Sequence, residues 1–264
     1  MNNVLSRKQL GIPYGIFLLL FVAAPLLVLI YYAFTNGQGQ FTVSNLCNFF
    51  TDPNTLGTLC YSFALAFVVT MVCLLIAYPV AYILAQSEIK RKAVILMLFV
   101  LPMWINFTLR ITALKEVLSL IEGNLAFYPF INTVIGMTYD FLPFMLLPIY
   151  NSMTRIRKDW IEAAKDLGAN NVTIFFKIIL PLTVSGIISG IVMVFVPSLT
   201  SFAISQVLGG GHVLLIGNVI EQDFMQGMQW NSGSGLSFVL MIFVIASMAL
   251  VNMFDKEGEG TAIW

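Results

Sequence analysis

Glu162-Ala163-Ala164-Lys165-Asp166-Leu167-Gly168, followed nine residues later by Ile178-Ile179-Leu180-Pro181, is a polar block inside a chain otherwise suited to lipid. Asp159, three residues before Glu162, is placed to cap a short helix in a capping box, its carboxylate facing free amides and the positive end of the helix dipole. Gly168 can take the left-handed conformation that ends such a helix after about two turns. Trp160, Ala164 and Leu167 fall at i, i+4 and i+7, so this short helix carries an apolar stripe that needs something to pack against. Ala163 and Ala164 keep that side slim enough for close backbone approach. Asn170 or Asn171 can cap a second helix, Val172 to Leu180, and Pro181, lacking an amide donor, is expected to break or bend it. Helix, tight corner, helix makes a rigid knob, and its loop, 154–181, is longer than a plain connection requires.

Outward from this block the chain is apolar: 59% of its 264 residues are hydrophobic and 10% charged, against roughly 25% charged in a soluble domain. Apolar runs of about 20 residues, the length that crosses a bilayer, occur at 12–34, 59–85, 93–109, 131–153, 182–207 and 234–254. The sequence therefore predicts an all-α polytopic membrane protein, with residues 1–264 forming one transmembrane domain of six helices. The first run is too long for a secretory signal and lacks a convincing cleavage site. With six spans, Arg7, Lys8, Lys90, Arg91, Lys92, Arg155, Arg157, Lys158, Lys165, Lys177 and Lys256 fall on one face, against Arg110 and Lys115 on the other. The positive-inside rule then predicts cytoplasmic termini and a cytoplasmic knob. The outer loops, with Asp52, Glu116, Glu122, Glu221 and Asp223, carry a net charge of minus three, which favours approach of a cation.

Balanced charge overall gives no sign of nucleic-acid binding. No phosphate-binding G-x-x-x-x-G-K-[ST] loop is present, and no lysine precedes serine or threonine. His212 is the one histidine, in a glycine-rich loop, and Cys47, Cys60 and Cys73 have neither pairing nor metal spacing. The sequence thus offers no catalytic, cofactor or metal set, and any ATP chemistry must sit on another chain.

The spacing E-A-A, three residues, G, nine residues, I-x-L-P resembles the coupling loop of permease subunits of ATP-binding-cassette importers. Pro102-Met103-Trp104-Ile105-Asn106-Phe107-Thr108-Leu109-Arg110, Leu142-Pro143-Phe144-Met145 with Pro148-Ile149-Tyr150, and Gly209-Gly210-Gly211 with Leu214 to Ile220 are similar to the B-type permeases of spermidine/putrescine importers. The resemblance implies the type I importer permease fold in the cell membrane. It implies a second permease as heterodimer partner, two copies of an ATPase carrying ATP and Mg, and an extracytoplasmic polyamine-binding protein. It places Trp160, Glu162, Ala163, Ala164, Leu167 and Gly168 at the ATPase-coupling contact.

A polyamine is a flexible apolar chain carrying ammonium groups, so its path should combine sparse carboxylates with aromatic faces. Asp140 is the carboxylate inside a span, roughly 20 Å from the cytoplasmic end at 1.5 Å per residue, where it must face protein or water. Trp104, Tyr139 and Phe144 are the aromatic candidates beside it. Asp140 could instead serve a structural partner such as Arg110 or an asparagine of the second permease. Gly186 and Gly190 suit close contact with another helix, of this chain or of that partner. The same architecture could carry another small solute, an inorganic anion or a metal complex. An ion-gradient-driven secondary transporter would more often show internal inverted repeats, and none is convincing here.

Overall fold

The computed structural model describes residues 7–87 and 90–254, and Lys256, counted above among the cytoplasmic charges, lies outside them. The helices run in order α1 (Ile12–Ala33), α2 (Ser44–Thr51), α3 (Pro53–Gln86), α4 (Lys92–Trp104), α5 (Phe107–Glu122), α6 (Pro129–Thr154), α7 (Lys158–Asp166), α8 (Asn171–Thr200), α9 (Ala203–Leu208), α10 (Ile216–Met225) and α11 (Trp230–Phe254). Among the described residues, the β pairing is confined to an isolated bridge between Thr35 and Phe41. Five helices, α1, α3, α6, α8 and α11, are long and apolar enough to cross a membrane, and α4 with α5 makes a sixth if the pair is one span.

That sixth element corrects the expectation of a single span over 93–109, because α4 and α5 meet at 102°. Pro102 lies in a tight 3-10 turn, Leu101–Trp104, that closes α4. Ile105 is then extended, and the Asn106 carboxamide oxygen accepts from the amides of Thr108 and Leu109 at 3.0 and 3.3 Å, starting α5 afresh. The fifth span also differs: it is one helix from Asn171 to Thr200, and 203–208 is a separate short helix. Pro181, expected to break or bend the helix, does not break it: Phe175–Ile179 forms a wider π turn, in which Leu180 N–H reaches Phe175 O, and the helix continues. The wider turn makes room where the pyrrolidine ring would otherwise strike the carbonyl four residues back. Pro25 follows the same rule after the π turn Leu19–Ala23 in α1.

By internal contacts the chain divides into two units: residues up to Gly57 with Val219–Phe243, and Thr58–Asn218 with the end of α11. In the first, two carboxamides finish α1. Asn45 donates to Ala33 O and Thr35 O at 3.1 and 2.9 Å, and Asn231 to Tyr32 O and Thr35 O at 3.2 and 2.7 Å. They satisfy carbonyls that a helix end leaves without partners.

The second unit is built on a period of four. Leu65, Val69, Cys73, Ala77 and Ala81 of α3, and Met137, Phe141, Met145, Ile149 and Met153 of α6, all enter one buried cluster. Such rows are the ridges that helices interlock. In lipid the driving force is close packing rather than escape from water, so shape complementarity decides. Gly186 of α8 faces α6: a Cβ there would lie 2.6 Å from Ser152 Cβ and 2.8 Å from Pro148 O, and one on Gly190 would lie 2.7 Å from Met145 Sδ. The small-residue pattern therefore serves contact within this chain. Cys73 belongs to the same core, while Cys47 and Cys60 are exposed thiols.

Candidate coupling and translocation sites

Both candidate sites lie in the second unit. α7 is a two-and-a-half-turn helix whose start differs from expectation: Arg157, not Asp159, is the capping residue, and it makes no side-chain cap. Asp159 sits in the first turn, where its charge suits the helix dipole, and pairs with Arg157 at 2.6 Å. The pair is about two-thirds exposed, so it contributes little to stability. The end of α7 forms as the sequence predicts. Gly168 has φ +81°, its N–H bonds Lys165 O at 2.9 Å, and Ala169 N–H reaches back to Ala164 O at 3.0 Å. This is the paired 6→1 and 5→2 closure that a left-handed glycine permits. Asn170 then caps α8 by accepting from Thr173 N–H at 2.8 Å.

The corner is thus fixed by backbone bonds on both sides, and the faces it presents are open. Trp160 is 48% and Leu167 89% exposed, Glu162 and Ala163 are exposed, and Ala164 is half-buried. Bonded at its turn and bare along its apolar stripe, α7 has the form of a docking element rather than of a helix folded onto its own bundle. Behind the corner, α8 packs closely along α6.

The second site lies on α6 and the break before it. Asp140 is buried and forms an ion pair with Arg110 of α5. Arg110, read from the sequence as an outer-loop residue, is instead buried in a helix. Its Nη1 donates to Pro102 O at 2.8 Å, and its guanidinium carbon lies 5.8 Å from the centre of the Tyr139 ring. Pro102 O belongs to the turn that closes α4, so this side chain fastens the break. Tyr139 and Asp140 are therefore brought together around Arg110, while Trp104 and Phe144 line two hollows of their own. Trp104, 78% exposed, borders an apolar groove of about 200 Å³ with Leu96, Met97 and Leu147. Phe144 borders a cleft of about 360 Å³ between α6 and α8, with Leu147, Asn151, Arg155, Ser185 and Ser189 also on its walls. Leu147 is common to both hollows.

Sequence reasoning missed Asn106 as the residue that restarts the chain after the break. It also missed a polar knot beneath the glycine-rich loop. There Asn218 accepts from Ser205 Oγ and Leu215 N–H at 2.8 and 2.9 Å, and Ser62 Oγ accepts from Ile216 N–H at 2.8 Å. Asn106 carried a signal, a capping residue four positions after a proline. Asn218 carried none.

A set of apolar helices long enough to cross a membrane, interrupted by a cornered and exposed helix, is the form of a polytopic membrane protein with a docking element. The chain belongs to the family of inner membrane components of binding-protein-dependent transport systems, whose profile matches residues 11–257. It is 34% identical over 264 residues to the spermidine/putrescine transport system permease protein PotB of Haemophilus influenzae, covering 92% of each chain. It is 36% identical over 253 residues to PotB of Escherichia coli K12, covering 89% of this chain and 92% of the relative. Two solved structures share the fold. One is a bacterial ABC transporter involved in alginate import, with TM-score 0.69, 15% identity and coverage of 94% and 93%. The other is a bacterial alginate ABC transporter in complex with a pentasaccharide-bound periplasmic protein, with TM-score 0.74, 13% identity and coverage of 96% and 95%. The importer permease fold expected from the sequence is the fold found.

Proposed function

We propose that this chain is one of two membrane-spanning subunits of an importer that moves polyamines, spermidine or putrescine, into the cell. The observation that carries this reading is the similarity to spermidine/putrescine permeases over about nine-tenths of the chain. A second permease completes the path, two copies of an ATPase hold ATP and Mg, and an extracytoplasmic binding protein delivers the cargo. Basic residues clustered beside α7 and between α3 and α4 support cytoplasmic termini and a cytoplasmic knob.

Closure of the ATPase pair would act on α7 through Trp160, Glu162, Ala163, Ala164 and Leu167, whose exposure leaves them free to dock. Gly168 and Asn170 pass the movement to α8 without slack, because each side of the corner is closed by hydrogen bonds. α8 packs on α6, and α6 carries Tyr139, Asp140 and Phe144. Movement at the knob thus reaches the helix that holds the candidate path. Asp140 would balance one ammonium, and Tyr139, Phe144 and Trp104 would offer aromatic faces to the others.

The test is reconstitution with the second permease, the ATPase and the binding protein in vesicles. ATP-dependent uptake of labelled spermidine is expected, as is cross-linking of Ala163→Cys or Ala164→Cys to the ATPase during turnover. Uptake of no polyamine, or a knob that never captures the ATPase while import proceeds, would overturn the reading.

A further inference from the structure

The Arg110 guanidinium is held by the two kinds of group that recognise an ammonium: a carboxylate, Asp140, and an aromatic face, Tyr139. It holds a third partner, Pro102 O, at the turn where α4 ends. Among the described residues its buried Nε has no hydrogen-bond partner, whereas a charge pair kept only for structure gains most when all its donors are satisfied. Both side chains are over nine-tenths buried, so a single carboxylate there can balance a single cation, and a second cation would be repelled at close range.

We infer that Arg110 is a tethered stand-in for the cargo: an arriving ammonium exchanges with its guanidinium at Asp140 and Tyr139, and this exchange also releases Pro102 O at the helix break. The inference rests on the polyamine reading above. Exchange one for one keeps the carboxylate neutralised between cargo molecules, so it need not recruit small inorganic cations. It also ties occupancy to shape, because the same side chain that yields the carboxylate fastens α4 to α5. Asp140 thereby gains a role that a fixed counter-ion would not have: its occupant sets the geometry of the break.

The experiment measures spermidine uptake by the complete complex in vesicles, for the unaltered chain, Arg110→Gln, Arg110→Lys and the double variant Arg110→Gln/Asp140→Asn, with assembly followed by co-purification. With the competing cation gone, Arg110→Gln lowers KM for spermidine by about tenfold and lowers kcat, because release becomes slow. Arg110→Lys, which keeps the charge without the fork that spans Asp140 and Pro102 O, lowers KM less, and it decides the matter if Arg110→Gln does not assemble. The neutral double variant assembles and loses uptake by about tenfold or more. An unchanged KM in the assembled Arg110 variants, or uptake by the double variant within about twofold of the unaltered chain, overturns the exchange and leaves Arg110 and Asp140 a purely structural pair. Absence of uptake by the unaltered complex overturns the cargo reading, and this inference with it.

Discussion

Pro181 and Pro102 both interrupt apolar helices, with opposite results. At Pro181 the chain widens one turn and α8 runs on to Thr200, whereas at Pro102 it tightens one turn and leaves at 102°. A proline removes one donor and crowds one carbonyl in either setting, so proline alone cannot account for the difference. What differs lies downstream. Beyond Pro181 the helix continues through Leu182, Thr183 and Val184 with nothing to start a new one. Beyond Pro102, Asn106 caps a new helix and Arg110 reaches back to the carbonyl of Pro102, which also accepts from Ile105 N–H at 3.1 Å. Proline marks where a helix in lipid is weak, and polar residues after it decide whether it turns.

This contrast can be broken most forcefully at Arg110. Arg110→Leu leaves Asp140 buried without its cation and the break without its fastening, a loss of about 3–5 kcal/mol by analogy with buried pairs elsewhere. Thermal unfolding of the detergent-solubilised complex should show a lower Tm, and an unchanged Tm would remove the pair from the fold. Asn106→Ala removes only the cap, with an expected loss of about 1 kcal/mol and a rise in hydrogen exchange confined to the first turn of α5. Protection there equal to the unaltered chain would mean that the cap is idle. Pro102→Ala should have the smallest effect, because Asn106 and Arg110 remain. Spin labels on α4 and α5 should report an unchanged distance, and straightening would return the decisive role to proline.

The sequence made the knob more legible than the membrane-embedded part, for a physical reason. Gly168 and Asn170 act through their own local backbone, so glycine at the end of an amphipathic stripe and asparagine before the next helix could be read in place. Asp159 shows the limit of such reading: it has the residue type and spacing for a cap, but Arg157 adopts the extended backbone and the helix begins two residues sooner. Within the bilayer the signal is hydropathy, which records how much of a segment is apolar and not where it points. Span three kept its apolar character through Trp104 and Ile105 while the chain turned. The four-residue rows of α3 and α6 were likewise invisible, since Leu65 and Val69 look no different in sequence from the exposed Phe67. Arg110 was misread because a charge at the end of a counted span defaults to water. Asp140, 30 residues later, is what brings it inside.

If α7 takes the stroke of an ATPase as proposed above, the hydrogen-bonded corner at Gly168 lets α8 act as a lever. Its 30 residues span about 45 Å, so a swing of about 5° at the knob sweeps the Thr200 end through about 4 Å, comparable with the girth of an extended alkyl chain. The π turn at Phe175–Ile179, close to the fulcrum, is where such a lever would flex first. A modest stroke applied at one end could thus become a passage opened or shut at the other.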